Sequence, residues 1–457
     1  MTVTVTPATL YRPEFVEGSQ PFIPGMGHQG RLSDFDYIEE EWFATGEEDG
    51  RPYVTTVLVR IPRDASRFSG TVIVEPLHFF PISPVFSFTS EYIMRSGHGW
   101  VCVGSQKTSI DIHVKPSNPQ RYGSLHIEAE PLPPEAHHLD LGTLPADISN
   151  THLWWEHLPR QNRASHAILA QVGAAIKASA GPLAGFDVSC AVLVGHSGTG
   201  YLVSRYIREG HDALRREDGS SVYDGYFPSG WPTSAFGPCD VPIVQVVTQG
   251  DYAGDNVTFF RPGFDGLAYR RPDSDESGDR FRLYELAGVA HTSTQYPPIN
   301  DIEFLKQIQS GIMAEAGMQM SGMPFNQLFQ VALDHLVGWA AEGIAPPRAE
   351  RLEMGADGWF VRDEHGNSVG GVRTAHLDVP RATYTSNTIL PGGQPGFASF
   401  GFEEPFDAAT MKRLYQSRDS YLRRFNLRLD ELIGQGWFLA DDAEEFRAEA
   451  EKIVVPF

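Results

Sequence analysis

Short apolar runs alternate with helix-period segments along most of this 457-residue chain. Residues 71–76, 98–104, 188–194, 241–248 and 281–287 each have the length and the Val/Ile/Leu content of a buried strand, and glycine, proline or polar residues bound them. Between them, 89–95 (ending at Gly97), 151–180 and 201–208 read as helices. Strands alternating with helices predict a parallel sheet buried on both faces. Upstream, 37–61 is largely strand-like and turns at Pro62. Residues 111–145 form a proline-rich excursion, and 261–280 a charged surface loop. Downstream, Phe325, Leu328, Phe329, Ala332, Leu336 and Val337 make the apolar stripe of a helix over 325–341, which Pro346-Pro347 ends. Residues 348–395 suggest short strands and turns. Residues 407–453 suggest two helices, with Tyr415, Tyr421 and Phe425 as core. The expected architecture is α/β, a mostly parallel central sheet flanked by helices. It divides into a core over 1–345, with lid-like insertions at about 107–150 and 203–240, and a C-terminal extension over 346–457 packed on that core.

One strand carries chemistry. Residues 191–194 pass straight into Gly195-His196-Ser197-Gly198-Thr199-Gly200, and a helix-compatible segment follows at once. Strand, tight turn and helix in that order hold a serine at the carboxyl end of a buried strand, where its hydroxyl stands clear of the sheet. Gly195 and Gly198 let the backbone turn without a Cβ clash. Thr199 stands where a Gly-x-Ser-x-Gly pattern has its last glycine, so the motif is a variant. Alone, it competes with an ordinary strand-to-helix turn carrying an incidental serine.

A serine hydroxyl is a weak nucleophile until an imidazole takes its proton, and that imidazole needs a carboxylate to fix its tautomer. Asp251 lies just past the strand ending at Thr248, and His291 just past the strand ending at Ala287. Parallel strands bring their carboxyl ends to one edge, so Ser197, Asp251 and His291 can converge there. Asp255 and Glu75 are competing acids. The chain order serine, acid, histidine is that of the α/β-hydrolase fold. For a developing oxyanion, the N–H of Gly198 at the helix start is one donor. A second is expected from the loop after residue 76, with the N–H of His78 favoured over Leu77 and Phe79. Phe79 and His196 are expected substrate contacts, and Tyr226, Phe227 and Trp231 further walls, which favours an apolar or aromatic acyl or alcohol group. His137-His138-Leu139-Asp140 looks metal-like, but adjacent histidines point apart in most backbones, and no metal or cofactor is expected.

Charge and cysteines narrow the partners. A net charge of −22 argues against nucleic acid and anionic membranes, whose binding needs clustered Lys and Arg. Cys102, Cys190 and Cys239 form no CxxC pair, which argues against a disulfide framework. The N-terminus lacks the features of a signal peptide, and no apolar run has the length of a membrane span, so a cytoplasmic location is expected. The expected partner is a small-molecule ester; a homo-oligomer is left open.

The segments Tyr37-Ile-Glu-Glu-Glu-Trp-Phe43, Val72-Ile-Val-Glu75, Gly99-Trp-Val-Cys-Val-Gly-Ser-Gln106, Val194-Gly-His-Ser197, Asp224-Gly-Tyr-Phe227 and Gly288-Val-Ala-His291 resemble those of an "alpha/beta hydrolase domain" family of bacterial and fungal proteins. Gly366-Asn-Ser-Val-Gly-Gly-Val-Arg373, Asp378-Val-Pro380 and Gly436-Trp-Phe-Leu-Ala-Asp-Asp442 extend the resemblance over nearly the whole chain. It implies an α/β-hydrolase fold with Ser197, Asp251 and His291 as the matching triad. It supplies no substrate, because the family is defined by sequence rather than by an assigned reaction. This chain departs from it at Pro76-Leu77-His78 and at His196, where members more often carry glutamine. The expected activity is hydrolysis of a carboxylic ester or lactone through an acyl-enzyme on Ser197. The alternative is acyl transfer, lactonisation or a lyase-type step on a natural product.

Overall fold

The computed structural model describes residues 2–14, 18–24, 31–79, 82–130, 134, 157–158, 160, 162–232, 235–251, 267–292, 319–356, 360–386 and 401–452. Its strands are β1 (Val3–Thr4), β2 (Thr9–Tyr11), β3 (Tyr37–Glu48), β4 (Arg51–Pro62), β5 (Thr71–Pro76), β6 (Gly99–Val103), β7 (Cys190–His196) and β8 (Leu214–Arg215). After them come β9 (Gly225–Ser229), β10 (Ile243–Thr248), β11 (Ser274–Glu276), β12 (Asp279–Leu286), β13 (Gln319–Met320), β14 (Ala382–Thr385) and β15 (Phe402–Pro405). A ten-stranded sheet has the order β11-β12-β10-β9-β7-β5-β6-β4-β3-β2. From β12 to β6 all neighbours are parallel, and the strands outside them are antiparallel. Every residue of β5, β6, β7, β9 and β10 is buried, as a sheet covered on both faces requires.

The principal helices are α1 (Pro84–Arg95), α2 (Ser165–Lys177), α3 (Gly198–Arg205), α4 (Phe325–Glu342), α5 (Ala408–Tyr415), α6 (Arg418–Gly434) and α7 (Ala443–Lys452). Helices α1 and α4 pack on each other and on β7, while α2 lies against β3, β5 and β7. Among the described residues no helix is long and apolar enough to cross a membrane.

Several boundaries differ from those expected, each for a local reason. The strand-like 37–61 region is a hairpin, turned by Asp49 and Gly50 at φ 49° and 72°. Two consecutive positive φ values suit an Asp-Gly turn between twisted strands. Residues 84–88, expected as loop, are the first turns of α1. Pro84 suits the first helical position, and the carboxylate of Glu75 accepts the Val85 and Phe86 N–H groups at 2.8 and 3.0 Å. Residues 203–240, expected as lid-like, include β9, a fully buried member of the central sheet between β7 and β10. The 407–453 segment holds three helices, because Gln416 at φ 67° separates α5 from α6. Most of 131–161 and all of 252–266 lie outside the described residues, and with them His137, His138 and Asp255.

Past the sheet, Ala287 N–H donates to the Val372 carbonyl at 3.1 Å and Val372 N–H to that of Glu285 at 2.7 Å, so chain from the 346–386 region leans on the β12 edge. The buried Glu285 carboxylate accepts from Arg270 at 2.7 Å and from Leu352 N–H at 2.7 Å. Helices α5 to α7 surround their own apolar cluster, in which Tyr415 packs on Tyr421, Tyr421 on Phe425 and Phe425 on Phe446.

Glu75 is fully buried, and burial raises its carboxyl to about 7 against the pull of the α1 N–H groups, Trp100 and Arg60. Because the folded state holds the proton more tightly than the unfolded chain, the stability from this group is complete below its ordinary value of 4.5 and is lost as pH rises through about 7. In urea unfolding, the stability of the wild type relative to Glu75→Gln is therefore expected to fall between about pH 4.5 and about pH 7 and to level off above. A difference independent of pH would contradict it.

Candidate active site

Ser197 sits between β7 and α3 with φ 57° and ψ −123°, a conformation that is costly for a residue with a Cβ. The surroundings fix it. Its N–H donates to the Ser229 carbonyl at the end of β9 (3.0 Å), and its carbonyl accepts from Tyr201 N–H (2.8 Å). A β-carbon at Gly200 would collide with the Ser229 carbonyl, and one at Gly195 with the Thr199 backbone. Glycine is thus needed at 195 and 200, and the apparently misplaced Gly200 is where α3 crosses β9. Thr199 has a task of its own: its hydroxyl accepts from His196 N–H at 3.0 Å and donates to the His196 carbonyl at 2.9 Å.

Asp251 and His291 arrive by register. Thr248 and Leu286 are paired neighbours on the parallel strands β10 and β12. The two loops that follow are laced together by Gly288 N–H to Gln249 Oε1 (2.7 Å) and Gly250 N–H to the Val289 carbonyl (2.9 Å). A β-carbon at Gly250 would come within 2.7 Å of the His291 nitrogen, so only glycine allows this approach. The Asp251 side chain, 1% exposed, bonds His291 Nδ1 through Oδ1 and accepts Thr248 N–H through Oδ2 at 2.7 Å. His291 is more open, at 18%. Ser197 Oγ makes no hydrogen bond to His291 here; such bonds are commonly long before substrate binds. Glu75, the competing acid, faces α1 instead.

The residue before the serine differs from its expected role. His196 is 2% exposed, and both ring nitrogens are engaged: Nε2 with the His291 carbonyl at 2.9 Å, Nδ1 with Ser229 Oγ at 3.0 Å. It is not placed to meet a substrate. Burial, with the adjacent His291 ring, holds it well below the usual imidazole range. Burial, with His291 and His113 nearby, likewise pushes His78 down to about 3.

The loop after β5 also corrects an expectation. The N–H of His78 donates to the Ile82 carbonyl at 3.2 Å and that of Leu77 to Val103 at 2.8 Å, so neither is the oxyanion donor in this arrangement. Below the loop, Gln106, Ser109 and His113 hold the carbonyls of Leu77, His78 and Phe79 at 2.9, 3.0 and 2.7 Å. Since a trans peptide directs its N–H opposite the preceding carbonyl, the Phe79 N–H points away from Ser109. The Phe79 ring lies where a Gly198 β-carbon would stand. Tyr201 and Trp231, one helical turn and one loop from the serine, are half-buried with ring centroids 5.4 Å apart. Tyr226 and Phe227 are fully buried core residues of β9 rather than site walls.

One cluster away from the serine has metal-ligand types, His211, Cys239 and Asp240. There the Arg215 guanidinium lies 3.2 Å from His211 Nε2 and 3.0 Å from Asp240, placing a cation among the would-be ligands. The residues do not suit a second cation.

The family described as "Alpha/beta hydrolase domain" matches residues 10–448. Solved structures similar to the chain include LpqC, a poly(3-hydroxybutyrate) depolymerase from Bordetella parapertussis, at 12% identity and TM-score 0.32, covering 68% of this chain and 91% of that one. An esterase has 13% identity and TM-score 0.30, covering 60% of this chain and 80% of its own. A bacterial esterase has 12% identity and TM-score 0.27, covering 66% and 99%. No curated protein matches the chain.

The positive φ at Ser197 has a measurable consequence. Ser197→Gly is expected to stabilise the fold by about 1 kcal/mol in urea unfolding, because glycine relieves backbone strain that a serine bears. A destabilised variant would mean that the conformation carries no strain.

Proposed function

The chain belongs to the alpha/beta hydrolase domain family, and from that premise we propose that it is a serine hydrolase that cleaves carboxylic esters or lactones through an acyl-enzyme on Ser197. The observation that carries this reading is the Asp251–His291 hydrogen bond at the same sheet edge as the strained turn that presents Ser197.

In this reaction Ser197 Oγ attacks the ester carbonyl carbon while His291 Nε2 takes the hydroxyl proton. Asp251 holds Nδ1, so Nε2 is the nitrogen turned to the serine, and the carboxylate stabilises the imidazolium that forms. The oxyanion is met by the N–H of Gly198, which as the first helical residue has no carbonyl a turn behind it. The N–H of Phe79 is the second donor, and its orientation opposite the Ser109-held carbonyl of His78 supports that role. Collapse of the tetrahedral intermediate expels the alcohol, which leaves with the proton from His291. Water then attacks the acyl-enzyme, gives a proton to His291, and releases the acid as Ser197 Oγ recovers that proton. Phe79, Tyr201 and Trp231 supply aromatic surface beside the serine, which suits an apolar or aromatic acyl or alcohol group.

A chain-length series of p-nitrophenyl esters tests the proposal. Turnover is expected in the wild type, with loss to background in Ser197→Ala and a fall in kcat of about 10⁴-fold in Asp251→Asn, where the wrong imidazole tautomer is favoured. Equal turnover by Ser197→Ala would refute it.

A further inference from the structure

Resting on that reading, we infer that His196 is a positioning residue for His291, fixing the base relative to Ser197 by donating its Nε2–H to the His291 main-chain carbonyl. The hydrogen placement follows from chemistry. A carbonyl only accepts, so the nitrogen 2.9 Å from it carries the proton. A neutral ring then leaves Nδ1 as an acceptor facing the Ser229 hydroxyl 3.0 Å away, whose single proton the Gly195 carbonyl, at 2.9 Å, also accepts. The His291 carbonyl therefore selects the tautomer that points a donor at the base, and Ser229 meets the other side of the ring.

The sheet does not itself provide this link. Strand β12, which delivers His291, is separated from β7 by β10 and β9. The distance between base and nucleophile would otherwise depend on the twist accumulated across those strands. His196 bridges it directly, since its main chain leads into Ser197 and its ring reaches His291. Ser229 completes the link, because its carbonyl accepts the Ser197 N–H at 3.0 Å and its hydroxyl bonds the His196 ring.

The ring has a fixed orientation. Phe88, Phe329 and Phe325 meet it edge-on at centroid distances of 5.4, 5.4 and 6.2 Å, and the His291 ring lies 4.7 Å away at 31°. Thr199 holds its main chain on both sides of the residue. An apolar side chain could fill the same volume. It could not hold the His291 carbonyl, and this separates positioning from packing.

The test measures kcat and KM on a p-nitrophenyl ester that the wild type turns over, together with the rate at which a fluorophosphonate labels Ser197. His196→Leu removes the donor. His196→Gln offers an amide N–H at about the reach of Nε2. Expected is a fall in kcat and labelling rate of about 10²-fold in His196→Leu, the scale of a small misplacement of reacting groups. KM should change little, and His196→Gln should recover most of the loss. Ser229→Ala keeps the ring and removes the hydroxyl that meets its Nδ1, which loosens the ring's orientation, and it should slow both rates without raising KM. It decides the matter if His196→Leu does not fold. Unchanged kcat in a folded His196→Leu overturns the inference. So does a rise in KM with kcat kept, a His196→Gln as slow as the leucine variant, or an unaffected Ser229→Ala. A wild type inert to both ester and probe would overturn the serine-hydrolase reading itself, and with it this inference.

Discussion

A backbone conformation that serine disfavours, φ 57° at residue 197, is held in place by its neighbours, and the site's geometry depends on that restraint. Strand β7 ends between the fully buried strands β5 and β9, and α3 must start at once and cross β9. The turn is possible because Gly195 and Gly200 allow backbone to meet backbone, and because the Ser229 carbonyl takes the Ser197 N–H. Without this tight crossing the chain would relax and the hydroxyl would lose its fixed direction. The strain is sustained by packing elsewhere.

The same restraint organises the partners. Ser229 anchors the turn through its carbonyl and His196 through its hydroxyl, and His196 reaches the carbonyl of His291. Asp251 fixes the other side of that imidazole from the neighbouring strand. Asp251, His291 and the main chain at Ser197 are thus linked by hydrogen bonds that run through His196 and Ser229, on an edge made by parallel pairing. His196 and His78 are both pushed toward the neutral form by burial, so the imidazoles around His291 add no competing positive charge near neutral pH.

Much of the central sheet was legible in the sequence because its strands are short apolar runs bounded by glycine and polar residues, and the turn at Ser197 because strand, turn and helix are contiguous. Features set by distant chain were not. The start of α1 was hidden because its N–H groups are met by Glu75 from the preceding strand rather than by a capping side chain at Ser83. The His78 N–H looked available, yet Ile82 accepts it, and no local pattern announces a bond of that kind. His196 adjoins the serine and so resembled a substrate contact, while its engagement with Ser229 and His291 exists only once β9 and β12 lie in one sheet. The Asp49-Gly50 dipeptide was a readable hairpin signal inside what first looks like one long strand-like stretch.

Mass analysis of enzyme quenched in acid during turnover of an activated ester tests the central claim most directly, followed by mapping of the peptide that carries the added mass. One acyl group on the peptide containing Ser197 is the expected result. Serine-independent turnover, with the acyl group on another residue or on none, would contradict the assignment of Ser197 as nucleophile.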